Sequence, residues 1–231
     1  MRLNLDRRQT EALKNPFWVS LSTKHSAFCE SKGNVLRYQP TLLPFSAVEK
    51  SDTAINAALL RRDTDTNFIG VIPSIDIDTA DIVRASCLQM AWQPRGGFTV
   101  PDAMAGECEL GAAEAAEMVE LTQVAFPGYF RAETYRLGRY IGLRVDGQLV
   151  AMAGHRTRMP GLREISGVCT LPGFTGRGYA QHLIRRLLND TPDELPYLHV
   201  VSTNARAIAI YHALGFVTTS EVAFLKIPQQ P

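Results

Sequence analysis

The chain has no surplus of charge of either sign. It holds 24 Lys and Arg against 23 Asp and Glu, a formal net charge of +1, so no global field draws it to nucleic acid or to a membrane surface. Adjacent basic residues occur only as the pairs Arg7-Arg8, Arg61-Arg62 and Arg185-Arg186. Cysteine is sparse. Cys29, Cys87, Cys108 and Cys169 are widely spaced with no Cys-x-x-Cys pair, which argues against a disulfide framework and against structural zinc. His25 and Cys29 lie within one helical turn, but no second pair completes a metal site, and no metal is expected. Long apolar runs are also missing; none approaches the roughly 20 residues of a membrane-spanning helix. Met1 to Thr10 is charged and lacks the apolar core of a signal peptide. The expectation is a cytoplasmic protein with neither nucleic acid nor membrane as partner.

What the chain does have is ordinary globular composition. Its 231 residues are 45% hydrophobic and 20% charged, enough for one large domain or two small ones with a real core. The C-terminal half reads clearly. Residues 107–111 form a short strand, 113–124 a helix rich in Ala, Glu, Met and Leu, and 131–137 another short helix. Strands at 140–145 and 149–155 flank Asp146-Gly147, a strong two-residue hairpin turn. The second of these is apolar on both faces, which marks a central strand. A third strand spans 164–171, and a fourth spans 196–202. Asn204 is a good N-cap for a helix over 205–214, and Gly215 fits the position just past its end. Residues 216–226 read as two closing strands.

The N-terminal part is weaker. Residues 56–62 and 79–92 look helical, while 35–38 and 68–72 look like strands, which suggests a small α/β unit over 1–95. Two prolines and three glycines between Gln93 and Gly106 make 96–106 the best linker. The expected organisation is therefore an N-terminal unit over 1–95, a linker over 96–106 and a second domain over 107–231.

The most informative stretch is Thr175-Gly176-Arg177-Gly178-Tyr179-Ala180. A strand runs into it, and an amphipathic helix leaves it with Ala180, Leu183, Ile184, Leu187 and Leu188 on one face. Free N–H groups at a helix N-terminus, with the positive end of its dipole, suit a phosphate or pyrophosphate. A strand later comes Asn204-Ala-Arg-Ala-Ile-Ala-Ile-Tyr211-His-Ala-Leu-Gly215-Phe216. Both helices can start at the same sheet edge and face one ligand. A P-loop-like nucleotide site is disfavoured, because no Gly-Lys-Ser/Thr follows the loop.

Together these stretches resemble the GNAT (general N-acetyltransferase) superfamily, over about residues 107–226. Residues 175–180 match its acyl-CoA loop, Gln/Arg-x-x-Gly-x-Gly/Ala, except that Thr175 replaces Gln or Arg. Residues 204–216 match its second signature, Asn-x-x-Ala-x-x-x-Tyr-x-x-x-Gly-Phe, at every fixed position. The resemblance implies an α/β fold of the α+β type: a mixed, mostly antiparallel twisted sheet flanked by helices, here with a smaller N-terminal α/β unit that could be a degenerate copy. It implies acetyl-CoA as acyl donor and direct attack by an amine in a ternary complex, the acceptor being a small molecule or a peptide. The pyrophosphate would rest on the amides of Gly176, Arg177, Gly178, Tyr179 and Ala180, with Thr175 beside them. The pantetheine arm would lie along Val168, Cys169 and Thr170 and against Asn204 and Ala207. Tyr211 would protonate the departing thiolate, and an amide near Val168 would polarise the thioester carbonyl. Glu164 is the first candidate for the base and His155 the second. The alternative is a non-catalytic acyl-CoA-binding or sensory module. By periodicity alone Tyr211 would be a core residue, and Cys169 a packed small residue rather than a nucleophile.

Overall fold

A computed structural model describes residues 5–55, 65–75, 82–93, 98–190 and 192–229. Helix α1 (Arg7–Lys14) starts with a reciprocal cap, in which the Gln9 N–H donates to Asp6 Oδ1 at 2.7 Å and the Asp6 N–H to Gln9 Oε1 at 3.1 Å. Pro16 opens α2 (Pro16–Ser22) at the position where a missing N–H costs nothing. Strands β1 (Cys29–Lys32), β2 (Val35–Tyr38) and β3 (Ser46–Val48) form a three-stranded antiparallel sheet. Then follow β4 (Ala54–Ile55), β5 (Thr66–Ile69), β6 (Ser74–Ile75) and β7 (Val83–Trp92). The C-terminal half supplies β8 (Glu107–Leu110), α3 (Ala115–Ala125), β9 (Tyr140–Val145), β10 (Gln148–Met159), β11 (Leu162–Thr170), α4 (Tyr179–Leu187), β12 (Leu195–Val201), α5 (Ala205–Ala213) and β13 (Phe216–Ile227).

The main sheet has eight strands in the order β5-β13-β7-β12-β11-β10-β9-β8. Every neighbouring pair is antiparallel except β11 with β12. The expected hairpin joins β9 and β10, with Asp146 at φ 49° and Gly147 at φ 82°. These are the left-handed angles that such a turn demands.

Three expectations change. The helix expected over 79–92 is strand β7 from Val83 onward, and residues 79–81 lie outside the described residues. Ala, Leu, Gln and Met favour a helix locally, but β7 is wedged between β12 and β13, and pairing on both sides overrides that preference. The two closing strands are the single strand β13, which has no Gly or Pro to turn on. Its polar centre is a bulge: the register shifts between Thr218 and Ser220, and Thr219 Oγ1 donates to the Gln89 carbonyl at 3.0 Å. The short helix expected over 131–137 is a 3-10 turn, Thr134–Leu137. The helix expected over 56–62 lies outside the described residues. Strands β5 and β7 precede the linker expected at 96–106, yet both belong to the main sheet, which is therefore continuous across that point of the sequence.

Helices cover both faces of this sheet. On one face Leu183, Ile184 and Leu187 of α4 pack with Ile141, Ala151, Ala153 and Ile165, and Tyr211 and Leu214 extend the same cluster from α5 and its end. On the other, Met118 and Leu121 of α3 pack on Tyr140 and Met152. Phe17 and Leu21 of α2 pack there with Tyr38, Phe45 and Leu137. Removing the side chain of a fully buried leucine such as Leu183 costs about 2–5 kcal/mol.

Candidate active site

Two strands that start together and then part make the site. β11 and β12 pair at Leu162↔Leu195, Arg163↔Pro196 and Glu164↔Tyr197. Beyond Glu164 they diverge, β11 running on to Thr170 and β12 to Val201. Within the opening β11 carries an extra residue. Met152 faces Cys169 while Gly154 faces Ser166, and Gly167, at φ +65°, sits in the bulge. A bulge leaves one residue's backbone groups out of the ladder, here beside Val168.

The loop after β11 leads directly into α4. Gly176 and Gly178 have φ +81° and +80°, and a Cβ built on either would meet nothing within 4 Å. Crowding therefore does not demand these glycines; backbone conformation does, and they leave open space for a ligand to approach. Gly178 is the N-cap of α4 and supplies no side-chain cap, so the first amides of the helix are left for another acceptor. Thr175 Oγ1 donates to the Pro172 carbonyl at 3.1 Å and is committed to the loop itself.

These elements enclose an open cleft of about 400 Å³. Val168, Cys169 and Thr170 line it from β11, and Thr175, Gly176, Gly178, Tyr179 and Ala180 from the loop and α4. Asn204, Ala207 and Tyr211 line it from the side of α5. Of the residues expected to hold the acyl donor, Arg177 alone is not on the wall; its guanidinium lies 5.1 Å from the centre of the Phe174 ring. Phe174, Gln181, Arg206 and Ile210 also line the cleft and were not expected. Helical spacing held the signal for Ile210, which shares a stripe with Ala207 and Tyr211. Arg206 occupies a variable position of its signature, where pattern matching is blind.

The chemistry of the lining is set by burial. Asn204 Oδ1 accepts the Ala207 N–H at 3.1 Å and caps α5, which leaves its amide NH₂ for the cleft. Burial pushes Tyr211 up to about 12, so its hydroxyl is a proton donor at neutral pH. That hydroxyl has no hydrogen-bond partner among the described residues. Burial likewise pushes the Cys169 thiol up to about 12, which makes it a poor nucleophile, as its packed position in the strand suggested.

The base candidates lie elsewhere. Glu164 sits at the apex of the divergence but does not line the cleft, and its side chain is 0% exposed. Arg156 Nε and Nη2 donate to its two oxygens at 3.0 and 2.6 Å, Thr157 Oγ1 at 2.8 Å and His199 Nδ1 at 2.8 Å. A bulge in β10 between His155 and Arg158 brings Arg156 and Thr157 to this one carboxylate. Burial alone would raise the Glu164 carboxyl, but Arg156 and the His199 hydrogen bond outweigh it and hold it well below the usual carboxylate range. Glu164, the first candidate for the base, is thus a saturated carboxylate. Phe17 and Phe45, stacked on each other with centroids 4.6 Å apart, both lie against the Arg156 guanidinium, at 5.2 and 4.8 Å. His199, missed in the sequence, accepts from Gln89 Nε2 at 3.1 Å on its other ring nitrogen. His155 is buried, its Nε2 3.1 Å from Asp190 Oδ2, and its register partner Ile165 belongs to the core under α4. It does not line the cleft either.

Known proteins resemble this chain in sequence and in fold. Residues 109–216 match the model of the acetyltransferase (GNAT) family. A solved structure of a GNAT-family protein from Novosphingobium aromaticivorans is 32% identical, covers 95% of this chain and 99% of that one, and superimposes with a TM-score of 0.78. The chain belongs to the GNAT family of acetyltransferases. It is similar to the N-alpha-acetyltransferase RimI of Mycobacterium tuberculosis, 35% identical over 80 residues, a match that spans 33% of this chain and 51% of that protein. A GCN5-related N-acetyltransferase from Kribbella flavida shares the fold at 14% identity, with a TM-score of 0.56 over 92% of this chain and 96% of its own. Among the described residues no helix is long and apolar enough to cross a membrane, and no group of three or more His, Cys, Asp or Glu is placed to hold a metal.

Proposed function

We propose that this protein transfers the acetyl group of acetyl-CoA to an amine of a small molecule or a peptide, by direct attack in a ternary complex. The observation that carries this reading is the cleft itself, with a bulged strand on one wall and the unpartnered, protonated Tyr211 hydroxyl on the other. The family match and the partial likeness to an N-alpha-acetyltransferase support it. The amides of Gly176, Arg177, Gly178, Tyr179 and Ala180 take the pyrophosphate, and Val168, Cys169 and Thr170 pair with the pantetheine arm as an extra strand does. The bulge amide polarises the thioester carbonyl while the amine adds to its carbon. When the C–S bond breaks, Tyr211 gives its proton to the thiolate and CoA leaves as the thiol. The proton lost by the amine leaves to water in the open cleft, while Glu164 and His199, whose bonding positions are already taken, hold the apex of the divergence in shape. His155 keeps a structural role with Asp190. The N-terminal half, read in the sequence as a degenerate copy, closes the Arg156 side of the sheet and shapes the approach of the acceptor.

The test is release of free thiol from acetyl-CoA across a panel of small amines, amino acids and peptide N-termini. Turnover with at least one acceptor is expected, and Tyr211→Phe should lower kcat at least tenfold, about 1.4 kcal/mol, with little change in KM for acetyl-CoA. A second reading, a non-catalytic acyl-CoA sensor, draws on the saturated Glu164 carboxylate. Acetyl-CoA binding without turnover, indifferent to Tyr211→Phe, would decide for it.

A further inference from the structure

The inner end of the cleft is backed by one ring laid over two glycines. Tyr140, the first residue of β9, faces Gly154 on β10, and its ring crosses that strand to reach the bulge of β11. A Cβ on Gly154 would stand 2.1 Å from Tyr140 Cδ1. A Cβ on Gly167, in the bulge, would stand 3.1 Å from Tyr140 Cε1 and 3.5 Å from Met152 Cε. Gly154 has no left-handed backbone to explain it; the ring does. Tyr140 is 1% exposed, and Phe130 holds it edge-on with centroids 5.5 Å apart. Cys169, which lines the cleft, belongs to the same buried cluster as Tyr140 and Met152. The wall behind the bulge is thus a fixed aromatic ring with a methionine tip beside it.

We infer that Tyr140, with Met152 beside it, limits the length of the acyl group, admitting acetyl and excluding chains of three or four carbons. This rests on the proposed acyl-CoA reading of the cleft. A thioester carbonyl held by the bulge amide sets the acyl carbon beside Gly167, where the backbone carries no side chain. Any further carbon on that side runs into the space the Tyr140 ring already fills. The rule is steric: the groups that meet a Cβ built in the bulge are the Tyr140 ring and the Met152 methyl. A methylene with no room in a packed pocket is worth about tenfold or more in discrimination.

Calorimetric titration of the full chain with CoA, acetyl-CoA, propionyl-CoA and butyryl-CoA tests this. Wild type should bind butyryl-CoA about tenfold more weakly than acetyl-CoA. Tyr140→Leu should bring the two within about threefold while leaving the affinity for CoA itself unchanged, and Tyr140→Phe, which keeps the ring, should retain the wild-type order. If Tyr140→Leu gives no cooperative melt, Met152→Ala opens the same space from the neighbouring strand and carries the same expectation. Equal binding of all chain lengths by wild type, an unchanged order in the opened variants, or a Tyr140→Phe that behaves as Tyr140→Leu overturns the inference. In those cases CoA still binds and the reading of the cleft stands; a wild type that does not bind CoA overturns that reading, and this inference with it.

Discussion

Strand β11 has two ends that treat polar groups in opposite ways. At the narrow end, where it pairs with β12, the Glu164 carboxylate takes Arg156, Thr157 and His199, and no lone pair is wasted. At the wide end, where the strands diverge, the Tyr211 hydroxyl and the first amides of α4 stand without protein partners. The closed end spends its polar groups on holding the strands together, and the open end keeps its donors for a ligand.

The comparison can be broken by degrees. The largest effect should come from removing residues 1–99. Strand β7 lies between β12 and β13, so a fragment of residues 100–231 lacks a strand from the middle of the sheet. No cooperative melt and no acetyl-CoA binding are expected; a soluble, active fragment would show that the C-terminal half folds around the gap. Next comes the narrow end. Glu164→Gln leaves Arg156 buried without its counter-charge, at a cost of about 3–5 kcal/mol at neutral pH, read by urea unfolding. The folded carboxyl is depressed, so the stability it contributes is complete above its unfolded value of about 4.3 and is lost as pH falls below that toward the folded one. The gap between wild type and Glu164→Gln should accordingly close in acid.

At the wide end the effects are on binding. Gly178→Val forces a β-branched residue to φ +80° and puts its side chain where the ligand approaches. Acetyl-CoA affinity should fall at least tenfold, about 1.4 kcal/mol, whereas Thr175→Ala, which loses a bond internal to the loop, should change it less than about twofold by calorimetry. Equal losses would mean that side chains, not backbone amides, hold the phosphates. The smallest effect belongs to His25, which is buried against Tyr38 and away from the cleft. Burial, aided by Arg158 and Arg163, lowers it to about 4. Between that value and about 6.5 the unfolded chain takes the proton and the folded one does not, so stability falls as pH drops through this window. A His25→Gln variant should show a flatter melting temperature across it.

The legible parts of the molecule were those whose geometry is local. Asp146-Gly147 specified its hairpin because few residues tolerate positive φ at both turn positions. Gly176, Gly178 and Asn204 marked two helix starts, and the cleft lies between them. Strand β7 was illegible because its helix-forming composition is overruled by partners, of which β12 begins more than a hundred residues later. The environment of Glu164 was illegible for the same reason: Arg156 and Thr157 reach it across one strand, His199 from beyond β11, and Phe17 and Phe45 close over Arg156 from the N-terminal half.

By itself the sequence determined the loop, the two helix starts and the family, because each depends on a few residues in fixed spacing and on the φ angles that glycine permits. The tertiary structure alone decided which strand fills the middle of the sheet, that Glu164 is a locked group, and that Tyr140 stands behind the bulge. Those depend on contacts between distant segments, which backbone pairing and burial select and which local propensity does not encode.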